Sequence, residues 1–120
     1  IAGKPLKLTK GEQKREFIYV LDAVDALLTA GASREAHGRI INIGTNKEYT
    51  LKEIVNMALR LTNSKIKPEW GAIPYRKNEI WSMKGDNSKA KSILKWEPKT
   101  SMEEGLKKTI AHYKNDTGKN

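Results

Sequence analysis

Arginine and glutamate stand close together twice in this 120-residue chain: Arg15 lies between Glu12 and Glu16, and Arg76 three positions before Glu79. A planar guanidinium can give two parallel charge-assisted hydrogen bonds to phosphate oxygens, and a carboxylate can accept from a pair of hydroxyls. The same residues also make ordinary surface ion pairs, Arg15 with Glu12 or Glu16 and Arg76 with Glu79, each worth less than about 1 kcal/mol. On spacing alone the ion pairs are the simpler reading. A lysine four residues after a tyrosine would lower its pKa for proton transfer, but Tyr19, Tyr49, Tyr75 and Tyr113 are followed there by Ala23, Glu53, Glu79 and Thr117. His37 and His112 are isolated from metal-ligand spacing and from triad partners, which assigns them structural or surface roles. No glycine cluster opens a helix in the way a dinucleotide pyrophosphate requires. The chain thus carries binding groups without a self-sufficient catalytic constellation.

Bulk composition narrows the partners. Lysine and arginine number 23 against 14 acidic residues, a formal charge of +9 that suits nucleotide, nucleic acid or an anionic membrane. Yet Lys4, Lys7, Lys10, Lys14, Lys47 and Lys52 are scattered, and without a block of like charge they read as a solvated surface. Cysteine is absent, which removes disulfides, thiolate metal sites and cysteine nucleophiles together. No apolar run has bilayer length, so a soluble, cytoplasmic protein is expected. The opening Ile1-Ala2-Gly3-Lys4-Pro5 has no signal-peptide pattern and reads as the interior of something longer. One core is expected, over residues 1–115, with a frayed tail at 116–120.

The elements that must position these groups alternate between strand and helix, an α/β pattern. Residues 6–9 and 16–20 read as strands, paired or neighbouring, with Gly11 in the turn between them. Val20, Ala23, Val24, Leu27 and Leu28 form one helical face over residues 20–30, with Gly31 to stop it. The apolar run at 39–43, ended by Gly44, predicts a parallel strand buried on both faces. Thr50 and Glu53 make a capping box ahead of a helix whose inner face holds Leu51, Ile54, Val55, Ala58 and Leu59. Residues 66–70 suit an edge strand because Pro68 cannot donate to a ladder. Asp86, Asn87 and Ser88 cap a short helix to Leu94, and Ser101 to Glu104 repeat the capping box before a last helix with Met102, Leu106, Ile110 and Tyr113 inward. Trp70, Trp81 and Trp96 are expected to anchor the core.

Four stretches occur in an order that carries more than any one of them. They are Gln13-Lys14-Arg15-Glu16-Phe17-Ile18-Tyr19-Val20-Leu21-Asp22, Asn42-Ile43-Gly44-Thr45, Pro74-Tyr75-Arg76-Lys77-Asn78-Glu79, and Asp86-Asn87-Ser88-Lys89-Ala90 leading to Leu94-Lys95-Trp96-Glu97-Pro98. From Leu6 to Tyr113 this succession resembles the C-terminal part of the extended short-chain dehydrogenase/reductases, the NAD-dependent nucleotide-sugar epimerases and dehydratases. The resemblance implies a small substrate-binding lobe of a Rossmann-type enzyme, with short strands and three to four helices. It implies a nucleotide diphosphate sugar as ligand and a missing N-terminal Rossmann half that holds NAD or NADP and the catalytic tyrosine and lysine. No cofactor is then expected on this stretch, which alone is expected to be inactive, and neither nucleic acid nor membrane is an expected partner. By resemblance Arg15 and Arg76 contact the substrate diphosphate, and Glu79 binds a ribose hydroxyl. Two positions depart from the family. Glu16 replaces the usual aspartate, which shifts a side-chain hydrogen bond. Asn78 stands where many members have glycine, a mild change because asparagine tolerates the left-handed region.

Two other classes compete with this reading. A small basic domain binding RNA or DNA accounts for the charge, but no recognisable nucleic-acid motif accompanies it. A stand-alone interaction module would keep the fold without the activity.

Overall fold

The computed structural model describes residues 4–117. Two short ladders tie the loops together. Strand β1 (Lys7–Leu8) runs parallel to β4 (Glu69–Trp70), and β2 (Lys14–Glu16) runs antiparallel to β3 (Glu48–Thr50). The two N-terminal strands therefore do not pair with each other as a hairpin. Gly11, at φ +75°, lets the chain turn between them, and its bare Cα faces the Trp70 ring: a Cβ there would lie 2.6 Å from the ring. The expected strand at 16–20 shrinks to its first residue because Val20 already begins helix α1 (Val20–Ala32).

Three further helices follow: α2 (Leu51–Leu61), α3 (Ser88–Leu94) and α4 (Met102–Thr117). The capping box of α2 is complete, with Thr50 Oγ1 accepting from Glu53 N at 3.1 Å and Glu53 Oε2 accepting from Thr50 N at 2.7 Å. At α3 the expected triad of caps divides its labour. Asp86 Oδ1 takes the Ser88 amide at 2.9 Å, whereas Asn87 is buried and reaches across to Gly44 O at 2.9 Å. Lys95, left-handed at φ 52°, ends α3 and turns Trp96 inward. Before α4 only half of the second capping box forms: Ser101 Oγ accepts from Glu104 N at 3.3 Å, while Glu104 pairs with Lys108 at 2.8 Å. Helix α4 continues through Asp116 and Thr117, where fraying was expected; residues 118–120 lie outside the described part.

The core is small. Ala26, Ala90, Leu94 and Trp96 are buried, with Ile18, Ile41, Ile43 and Ile93 packed around them. Asp22 and Asp25 of α1 hold the segment after α3, the first through Thr100 N and Oγ1 at 2.9 and 3.0 Å, the second through Trp96 Nε1 at 3.1 Å.

The structure settles one helix face and corrects two expectations. Helix α1 buries its alanine side, since Ala26 allows close approach by α3, and its bulky stripe of Val20, Val24, Leu27 and Leu28 faces outward at 41–70% exposure. Apolar on both sides, α1 has more hydrophobic surface than this core can cover. Residues 39–43 form no strand: among the described residues no ladder partner lies beside them, and Ile40 is 84% exposed. Of the aromatics expected inside, Trp96 is the anchor, Trp70 is half-buried, and Trp81 and Tyr113 are exposed.

Candidate functional site

Strand β2 carries the site because it is bonded along both edges. On one side Lys14, Arg15 and Glu16 pair with Thr50, Tyr49 and Glu48. On the other, the amides of Lys14 and Glu16 donate to Trp81 O at 2.7 Å and Met83 O at 3.1 Å, which draws residues 81–83 alongside. Strand alternation sends the Arg15 side chain to one face and those of Lys14 and Glu16 to the other.

Arg15 meets the returning loop. Its Nη2 donates to Glu79 Oε1 at 2.8 Å, and its Nη1 donates to Ile80 O at 2.6 Å and Lys14 O at 2.7 Å. The pair is largely withdrawn from water, with 24% of the Arg15 side chain and 11% of the Glu79 side chain exposed. Three of five guanidinium protons are thus engaged. Nε–H and one Nη2–H have no acceptor among the described residues, and neither does Glu79 Oε2 have a donor.

A second tie lies nearby. Tyr75 Oη accepts from Glu12 N and donates to Glu12 Oε2, both at 3.0 Å, and its ring meets Trp81 edge-on with centroids 4.8 Å apart. Removal from water, reinforced by the Glu12 carboxylate that takes its proton and opposed by the Glu12 amide, pushes the Tyr75 phenol above its ordinary range. It is therefore a neutral donor at physiological pH.

The sequence-based pairings are rearranged by these contacts. Arg15 pairs with neither Glu12 nor Glu16, and Arg76 does not pair with Glu79; the ion pair joins Arg15 to Glu79 across 64 positions. Arg76 is exposed on the same loop and has no ion-pair or hydrogen-bond partner among the described residues, so the structure joins two of the three candidate residues and leaves Arg76 unpaired, a few positions before Glu79. Asn78 does not adopt positive φ, and no glycine is needed there. Tyr75, and Tyr49 opposite Arg15, belong to this neighbourhood and escape a sequence search that tests tyrosines only for a lysine partner.

The space beside the Cα of Gly44 is taken by the Glu16 carboxylate, whose Oε1 would lie 2.6 Å from an added Cβ. No group of three or more histidines and carboxylates among the described residues is placed to hold a metal ion. A concavity of 690 Å³ between residues 17–21 and α4 is lined by apolar groups such as Val20, Leu21, Met102 and Leu106. Neither Arg15 nor Glu79 lines it.

Comparison with known proteins finds relatives over nearly the whole chain. The sequence profile described as GDP-mannose 4,6 dehydratase matches residues 2–109. UDP-N-acetyl-alpha-D-glucosaminuronate decarboxylase of Bacillus cytotoxicus is 36% identical over 108 residues, covering 87% of this chain and 33% of that protein. UDP-glucose 4-epimerase of Mycolicibacterium smegmatis is 28% identical over 116 residues, covering 96% and 36%. Among solved structures, UDP-glucose 4-epimerase of Thermotoga maritima with UDP-glucose superposes with a TM-score of 0.87 at 32% identity, over 96% of this chain and 36% of that one. MoeE5 in complex with UDP-glucuronic acid and NAD gives 0.87 at 28% identity, over 97% and 38%. The chain spans about a third of the length of the relatives it matches. With its fold and nearly all of its sequence shared in this way, the chain belongs to the GDP-mannose 4,6 dehydratase family of extended short-chain dehydrogenase/reductases, the NAD-dependent nucleotide-sugar epimerases and dehydratases.

Proposed function

We propose that this chain is the nucleotide-sugar-binding lobe of an NAD(P)-dependent epimerase or dehydratase, and that the rest of a longer protein supplies the dinucleotide site and the acid–base groups. The observation that carries the reading is the 2.8 Å contact between Arg15 and Glu79, which brings a strand guanidinium and a loop carboxylate together with unused hydrogen-bonding capacity on each. The free Nε–H and Nη2–H of Arg15 suit diphosphate oxygens, and the free Oε2 of Glu79 suits a ribose hydroxyl. Arg76, unpaired on the same loop, adds a second cation for the diphosphate. The names of relatives, UDP-sugar decarboxylases and epimerases among them, support a nucleoside diphosphate sugar as the substrate class. Within this reading the chain's own residues bind and orient the nucleotide, and the sugar extends from them towards chemistry performed elsewhere.

The test compares the binding of UDP, dTDP, CDP and GDP sugars with that of a random oligonucleotide over a salt series. Preference for one nucleotide diphosphate is expected, with affinity lowered about tenfold or more by Arg76→Ala, the scale of a charged hydrogen bond. Oligonucleotide binding that falls steeply with salt, without preference among nucleotide diphosphates, would overturn the proposal.

A further inference from the structure

Glu16 fastens three segments at a single carboxylate. Its Oε1 accepts from Asn46 N at 2.5 Å and Thr45 Oγ1 at 3.1 Å, and its Oε2 accepts from Gly85 N at 2.7 Å. Both glycines nearby are shaped around it. A Cβ on Gly44 would lie 2.6–2.9 Å from the carboxylate, and one on Gly85 would lie 3.3 Å from Oε2. The knot is closed by buried Asn87, which donates to Gly44 O at 2.9 Å. Left-handed Asn46, at φ 58°, aims its amide at the same oxygen as the Thr45 hydroxyl.

On its opposite face β2 presents Arg15 to Glu79 and Ile80. The returning segment is therefore held at both ends of a short span: at residues 79–80 by Arg15, at 81 and 83 by the β2 amides, and at 85 by Glu16. We propose that Glu16 is a positioning residue, whose carboxylate fixes the loop bearing Arg76 and Glu79 against β2 and so sets the geometry of the nucleotide site. Its length matters. Aspartate, one methylene shorter, cannot span from β2 to both the 44–46 turn and Gly85 at these distances, and glutamine offers one acceptor oxygen where two are used. For its effect on ligand binding the inference rests on the nucleotide-site reading; for the loop geometry it does not.

The experiment uses the ¹⁵N-labelled chain with Glu16→Gln and Glu16→Asp, the second retaining the charge in case the first fails to fold. Hydrogen exchange at the Asn46 and Gly85 amides is measured without ligand, and UDP affinity is measured in the natural and Arg76→Ala backgrounds. Exchange at Gly85 is expected to quicken about tenfold or more in either variant, while α2 amides are unchanged. UDP affinity should fall about tenfold in the natural background and much less beside Arg76→Ala, the non-additivity of two residues acting through one loop. Unchanged protection at Asn46 and Gly85 would overturn the positioning role whatever UDP does. Equal affinity losses in both backgrounds would overturn it by reducing Glu16 to general stability. A natural chain that ignores UDP while Gly85 exchange quickens in the variants would fail the nucleotide reading and leave the loop assignment standing.

Discussion

Glu79 divides its carboxylate between two tasks. One oxygen holds Arg15, which keeps a largely buried guanidinium paired, and the other has no donor among the described residues. Glu79→Ala should therefore cost about 1–2 kcal/mol in urea unfolding, since a partly desolvated charge loses its partner. The same variant should erase the preference for UDP over its 2′,3′-dideoxy analogue, if the free oxygen reads ribose; an undiminished preference in a competition titration would remove Glu79 from that role. At this scale the resemblance picks out Arg15, Arg76 and Glu79 by type and order, but not who pairs with whom. Local spacing favours Arg15 with Glu12 or Glu16, whereas the chosen partner arrives 64 residues later on a loop set by β2. Glu16 reads as a small departure from aspartate, and its extra methylene becomes meaningful only once Gly44 and Gly85 are seen beside it.

Elements with strong local signals form where the sequence places them. Helix α2 is announced by Thr50 and Glu53 and has both bonds of its cap. Thr50→Ala should lower stability by about 1 kcal/mol, read from the thermal or denaturant midpoint, and an unchanged midpoint would mean the cap is redundant. The backbone bond from Thr50, then its hydroxyl, holds the Glu53 carboxyl below its ordinary 4.5. A folded-state pKa below the unfolded one adds stability at neutral pH, and that contribution disappears as acidification passes through the lowered value. The stability gap between the natural chain and Glu53→Gln should accordingly be full at neutral pH and close below pH 4.5; a gap independent of pH would contradict the assignment. Strands are less legible because their partners are distant. β3 has three residues, too few for alternation to register, and it exists because β2 lies beside it. The apolar run at 39–43 has the composition of a buried strand, yet among the described residues nothing offers it a ladder.

Taken whole, the molecule is a flat body of 49 × 41 × 21 Å with a radius of gyration of 17.2 Å. A compact chain of this length would measure about 14 Å. Among the described residues four buried hydrophobic side chains make up the core, while the outer stripe of α1 and Ile40 remain uncovered. Periodicity reports that α1 is apolar; it cannot report which side finds a neighbour. No helix is long and apolar enough to cross a membrane among the described residues. What β2 accomplishes within this thin frame is to gather a guanidinium and a carboxylate at one edge, away from the apolar groove beside α4. The most direct test maps amide shifts of the labelled chain during titration with a UDP-sugar. Binding at this edge predicts saturable shifts concentrated at residues 14–16 and 75–80. Shifts confined to the groove between residues 17–21 and α4, with Arg15 and Glu79 silent, would contradict it.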